Sequence, residues 1–278
     1  GLHVLLEGKA DTKIVSMEAG TRPNIVIGKA DLFLNEWNED LQQQFDFYLK
    51  SNQLQGSANK EGELVRLHID GAFAHAAEPY KGVNAALHLL NFVGVALDDA
   101  FARNTYEMLC DWQGKPLGID QYGAYMGFLT MNTGIISLKE DGSCTITIDI
   151  RYPNEADVNE IMSKFEKACA ERHYDLHAVM ESDSKPLFVD PNSTLITRLM
   201  DVYRQYSGDH FSPAKTLGGG TYARKFENFV AFGPEFPNSE KTTDAFVGGP
   251  HQRDEGVKIE DLIKATAIYA AALEALAK

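Results

Sequence analysis

The chain has 278 residues, 44% hydrophobic and 24% charged, a composition expected of globular material long enough for two domains, each with its own core. Its formal charge of −14 and lack of clustered Lys and Arg argue against nucleic acid as a partner, because phosphate contacts need grouped cations to displace counterions. No apolar run approaches the ~20 residues of a membrane span, and residues 1–10 lack the pattern of a signal peptide, so no membrane partner and a cytoplasmic location are expected. Cys110, Cys144 and Cys169 form an odd set without CxxC spacing, which fits reduced packing thiols.

In chain order, residues 9–17 and 24–34 read as strands joined by the Gly20-Thr21-Arg22-Pro23 turn. Asn38 can cap a helix to about Lys50, with Leu41, Phe45, Tyr48 and Leu49 at helical spacing. The polar stretch 51–62 then leads to a strand at 63–70, and a second helix is predicted from about Gly82 to Phe101. Residues 129–139 and 143–152 predict a hairpin across Glu140-Asp141-Gly142, with Thr145, Thr147 and Asp149 alternating against Cys144, Ile146, Ile148 and Ile150. Val158, Ile161, Met162 and Phe165 predict an amphipathic helix over 155–172, and 173–180 reads as a strand. After the polar linker 181–186, a helix is expected at 190–207 with Asn192 or Ser193 as its cap, a short strand at 228–233, and an Ala-rich helix at 257–277. The last third holds too few strands to complete a sheet alone.

Several residues could carry chemistry. His75, flanked by Ala residues between a strand and a helix, can project from a loop, although a lone loop His is weak evidence. His251 follows Gly248-Gly249-Pro250, a turn that can present an imidazole to a metal. Arg151 at a strand end and Arg224 at the start of an expected helix could each pair bidentately with a carboxylate, though a surface role is the commoner one for Arg. The Gly218-Gly219-Gly220-Thr221-Tyr222 loop could approach an anion with backbone N–H groups, but it is neither a Walker loop nor a GxGxxG fingerprint.

Together these pieces resemble the M20 family of metallopeptidases, in particular bacterial dipeptidases of the PepV type. The resemblance is carried by Asn24, the Ala-His-Ala-x-x-Pro-x-x-Gly-x-Asn-Ala block at 74–85, Arg151-Tyr152-Pro153, Gly218 to Arg224, and His251, in family order. It implies an α/β and α+β fold: residues 1–8 ending a first catalytic segment or serving as linker, a two-lobed lid of antiparallel or mixed sheets with helices on one face at 9–182, and the C-terminal part of an α/β catalytic domain at 183–278. It also implies hydrolysis of dipeptides by two divalent cations, zinc or manganese, that activate a bridging water. In that scheme His251 is the last metal ligand and His75 donates to the developing oxyanion. Asn24 and Arg151 contact the substrate carbonyl or C-terminal carboxylate, and Arg224 with Gly219, Gly220 and Thr221 forms a carboxylate-binding wall.

The remaining ligands implied by the resemblance, a His-x-Asp pair, a bridging Asp and a Glu-Glu pair, are not found at matching places. His68-Ile69-Asp70 falls inside an expected lid strand, and Asp98-Asp99 reads as a solvated helix end. The chain is therefore expected to be a fragment of a monomeric enzyme, at most a weak single-site metal binder and inactive without an N-terminal catalytic segment supplied in cis or in trans. A non-catalytic peptide- or carboxylate-binding module, or an amidohydrolase acting on N-acyl amino acids, is the alternative.

Overall fold

The computed structural model describes residues 1–172, 175–217, 220–237, 247 and 254–277. The chain divides into two compact units, Gly1–Pro186 and Leu187–Lys278. The first is built on strands β1 (Leu2–Lys9), β2 (Ile14–Ala19) and β3 (Lys29–Leu34), helix α1 (Glu39–Ser51), and strands β4 (Gln55–Glu61) and β5 (Leu64–Asp70). Helices α2 (Ala85–Ala96) and α3 (Ala100–Leu109) follow, then the short strands β6 (Tyr122–Gly123) and β7 (Gly127–Phe128). Strands β8 (Thr130–Leu138) and β9 (Ser143–Arg151), helix α4 (Val158–Glu171) and strand β10 (Asp175–Asp183) complete the unit.

Eight strands form one sheet in the order β10-β1-β9-β8-β2-β3-β5-β4, and every neighbouring pair is antiparallel. Its two four-stranded halves join where β2 pairs with β8, so the two expected lobes share one continuous sheet. Helix α1 packs on β4, α2 on β3 and β5, and α4 on β10. Alternation places Leu2, Val4 and Leu6 of β1 and Val65, Leu67 and Ile69 of β5 in the same core as Phe45, Leu90 and Phe165 of the helices. Each such fully buried side chain contributes about 1.5–3 kcal/mol. Besides Leu5, the positions alternating with the buried ones on β1, β3 and β5 include the polar His3, Glu7, Asp31, Arg66 and His68.

Helix α1 begins where Asn38 accepts a hydrogen bond from the Leu41 N–H at 2.9 Å, and it buries Leu41, Phe45 and Leu49. The β8–β9 hairpin and α4 also lie close to their expected positions. The start of the chain differs: residues 1–8, expected as a catalytic segment end or linker, form most of β1, and the strand expected at 9–17 is a turn followed by β2. The polar stretch 51–62 contains the edge strand β4, and the helix expected over 82–101 ends at Ala96, with α3 starting at Ala100 beyond Asp98, whose φ is +50°. Asp99 is a buried cap, 4% exposed, rather than a solvated helix end. Its Oδ1 accepts from Ala102 N–H, and its Oδ2 accepts from the Thr12 hydroxyl and the Lys13 N–H. Cys144 and Cys169 pack in the core as expected, whereas Cys110 is exposed.

In the second unit, helices α5 (Thr194–Ser207) and α6 (Ile259–Leu276) share a small core of Leu199, Val202, Ile268 and Ala272. Ser193 caps α5 by accepting from Ile196 N–H. The strand expected at 228–233 does not form; Val230 and Phe232 instead pack against that core.

Candidate functional site

Two loops meet over the start of β8. The first, residues 20–28, leaves β2 through Gly20, whose φ of +82° suits glycine. It lies so close to β8 that a Cβ on Gly134 would fall 2.2 Å from the Pro23 carbonyl oxygen, and Asn132 Nδ2 donates to that oxygen at 2.7 Å. The second loop, residues 71–84, pairs with the first: Val26 N–H donates to Ala74 O at 2.9 Å and Ala76 N–H to Asn24 O at 3.0 Å. Ile25 and His75 are bridge partners. Thr130, the first residue of β8, donates its hydroxyl to Ala76 O at 2.9 Å, and its partner across the ladder is Arg151. Backbone pairing thus brings the segments carrying Asn24, His75 and Arg151 to one end of the sheet.

The His75 side chain sits on an exposed residue, and its Nδ1 accepts the Ala77 N–H at 3.1 Å. In the neutral ring this leaves the proton on Nε2 and makes Nε2 a donor. Arg151 is held by Asp149, two residues back on the same strand face: Nε and Nη2 donate to the two carboxylate oxygens at 2.6 and 2.7 Å. The Asp149 side chain is 0% exposed and that of Arg151 27%. Lys81 and Tyr80 both donate to Glu78 in the His75 loop, and the Lys81 bond above all holds the Glu78 carboxyl below its usual range. Tyr80 also meets Trp112, which contacts Phe128, so an exposed aromatic group borders the loop. Sequence reasoning missed Asp149, Thr130 and this aromatic border; the Asp149-x-Arg151 spacing on a strand was the available signal for the first.

In the second unit, Gly220 lies beside Arg224, 3.7 Å separating the Arg224 Cδ from a Cβ built on the glycine. The expected helix after the Gly-rich loop is only a 3-10 turn over Tyr222–Lys225, started by Thr221 Oγ1 accepting from Ala223 N–H. So short a turn lacks the aligned N–H groups of a helix N-terminus. Gly219 and His251 lie outside the described residues. Among the described residues, no three His, Cys, Asp or Glu side chains gather in a way that could hold a metal. They do not fit a two-cation centre. The His68 imidazole is flanked by Asp31 at 2.9 Å and Asp70 at 3.4 Å, and Asp70 also pairs with Lys29, so the His-x-Asp sequence here is a surface ion-pair group on β5.

Residues 61–177 match the family described as the peptidase dimerisation domain of M20. Over these residues the chain is similar to an M20 peptidase dimerisation domain. The match spans His75, Thr130, Asp149 and Arg151 and leaves Asn24 upstream. Over nearly its whole length, the chain is 33% identical over 278 residues to a Staphylococcus haemolyticus protein designated "Putative dipeptidase SH1171", covering 97% of this chain and 57% of that protein. It is 35% identical over 271 residues to "Putative dipeptidase YtjP" of Bacillus subtilis, covering 95% of this chain and 56% of the relative. The chain therefore spans a little over half the length of these relatives. A crystal structure of aminoacylhistidine dipeptidase from Vibrio alginolyticus aligns over 76% of this chain and 49% of its own, at 11% identity and a TM-score of 0.32, too low to carry an argument. Among the described residues, no helix is long and apolar enough to cross a membrane.

Proposed function

We propose that the protein containing this chain is an M20-type metallodipeptidase that cleaves dipeptides or short peptides bearing a free C-terminal carboxylate. The observation that carries this reading is the convergence of the Asn24, His75 and Arg151 segments around Thr130. On this reading His75, with Nε2 as donor, stabilises the oxyanion of the tetrahedral intermediate, a contact worth about 2.7–4 kcal/mol. Arg151 takes the substrate's C-terminal carboxylate, and Asn24 binds its carbonyl or the same carboxylate. Arg224, Gly219, Gly220 and Thr221 are proposed as a further carboxylate contact, and His251 as a metal ligand. The two divalent cations, zinc or manganese, need donors beyond the described residues, and a further catalytic segment, in cis or in trans, is proposed to supply them. A monomeric, cytoplasmic enzyme is proposed, since one chain already furnishes both halves of the eight-stranded sheet.

One observation favours a second reading as a carboxylate-binding module: Asp149 already holds the Arg151 guanidinium through two hydrogen bonds. The test compares a dipeptide with its C-terminal amide, using the full-length protein resupplied with Mn²⁺ or Zn²⁺ after chelation. Hydrolysis of the free acid well above that of the amide is expected. Metal-independent binding without hydrolysis favours the module, and neither binding nor hydrolysis overturns both readings.

A further inference from the structure

A guanidinium has two edges that can each meet a carboxylate through two N–H groups. One is the side edge of Nε and Nη2, the other the end edge of Nη1 and Nη2. In Arg151 the side edge is taken, because Nε and Nη2 donate to Asp149 Oδ1 and Oδ2 at 2.6 and 2.7 Å. Asp149 lies two residues before the end of β9, with His3 of β1 and Asn132 of β8 as its cross-strand neighbours. Its side chain is 0% exposed, and His3 Nε2 lies 3.4 Å from Oδ2. A buried carboxylate is costly unless its oxygens are hydrogen-bonded, and Arg151 supplies a donor to each of them. The Arg151 side chain, 27% exposed, keeps part of its surface at the sheet end where Thr130 binds the His75 loop.

We propose that Asp149 is a positioning residue: by filling the side edge of Arg151 it fixes the plane of the guanidinium and reserves the end edge for the C-terminal carboxylate of the substrate. The consequence is a form of selectivity that charge alone does not give. The Asp149–Arg151 pair is neutral overall, so a ligand gains from two aligned hydrogen bonds rather than from attraction to an unpaired cation. Ligands with a planar carboxylate are favoured over amides, which offer a single acceptor oxygen on that side. This inference rests on the dipeptidase reading for the identity of the ligand, but the Asp149–Arg151 geometry does not.

The test has two arms, both on the full-length protein. In the first, ¹⁵N–¹H NMR follows the Arg151 Nε–H, assigned with Arg151→Gln. A resonance protected from solvent exchange in the parent and lost in Asp149→Asn is expected; an unprotected Nε–H in the parent overturns the proposal whatever the enzyme does. In the second, Asp149→Asn is expected to raise KM for the dipeptide roughly tenfold to a hundredfold while changing kcat and the weak amide reaction little. In an Arg151→Gln background the same substitution should add nothing further. Equal effects on acid and amide, or additive effects in the double variant, overturn the positioning role. Should Asp149→Asn fail to fold, Arg151→Lys decides: it keeps the charge but not the two-edged fork, so KM for the acid should rise as far as in Arg151→Gln, and retention of the parent KM overturns the proposal. A protein with a protected Nε–H that hydrolyses neither substrate sinks the dipeptidase reading and leaves the Asp149 role standing on the first arm.

Discussion

Thr130 donates its hydroxyl to the carbonyl of Ala76 at 2.9 Å, and both residues are buried. This bond ties the loop that carries His75 to the first residue of β8. Thr130→Val keeps the shape and removes the donor, leaving the Ala76 carbonyl unsatisfied at a cost of about 1–3 kcal/mol. In the full-length protein, kcat should fall roughly tenfold through misplacement of His75, and Thr130→Ser should restore it. Steady-state kinetics with matched thermal melts checks this; a stability loss with unchanged kcat would remove the bond from the account of the site.

Asp99 joins the turn before β2 to the N-terminus of α3 through three hydrogen bonds, to Thr12, Lys13 and Ala102. Asp99→Ala strips a helix cap and leaves buried N–H groups unpaired, so a loss on the order of 2–4 kcal/mol is expected. Urea unfolding measures it, and a shift below about 0.5 kcal/mol would contradict the role.

His88 is pushed below its usual pKa of 6.5 by burial, and its Nδ1 lies 2.9 Å from the Tyr48 hydroxyl. Burial raises the Tyr48 pKa to about 12, so the hydroxyl stays protonated and Asn91 Nδ2 donates to its oxygen. Because the unfolded chain takes up the His88 proton more readily than the folded one, this group favours folding above pH 6.5 and that contribution is lost as pH falls through and below it. The unfolding midpoint in urea should drop between about pH 7.5 and 5, and His88→Gln should flatten that drop. An unchanged slope in the variant would rule His88 out as its source.

What was legible in the sequence was local. Helix α1 follows from Asn38 and the spacing of Leu41, Phe45 and Leu49, and the β8–β9 hairpin from strict alternation. Strand β1 was hidden because Leu5 interrupts its alternation and its partners lie near Ile148 and Val179, far along the chain. The break between α2 and α3 turns on one left-handed residue, Asp98, where glycine would have been a clearer signal. Asn24, His75 and Arg151 could be picked out as motif residues, but their convergence depends on loop pairing across β8. In the sequence Asp149 is only one member of an alternating strand, because its burial depends on His3 and Asn132, cross-strand neighbours from other parts of the chain.

The most direct measurement is the kinetics of His75→Ala in the full-length protein acting on a dipeptide. The account predicts that kcat falls about a hundredfold to a thousandfold with KM within a few fold, because the Nε2–H bond forms mainly in the transition state. An unchanged kcat would contradict it.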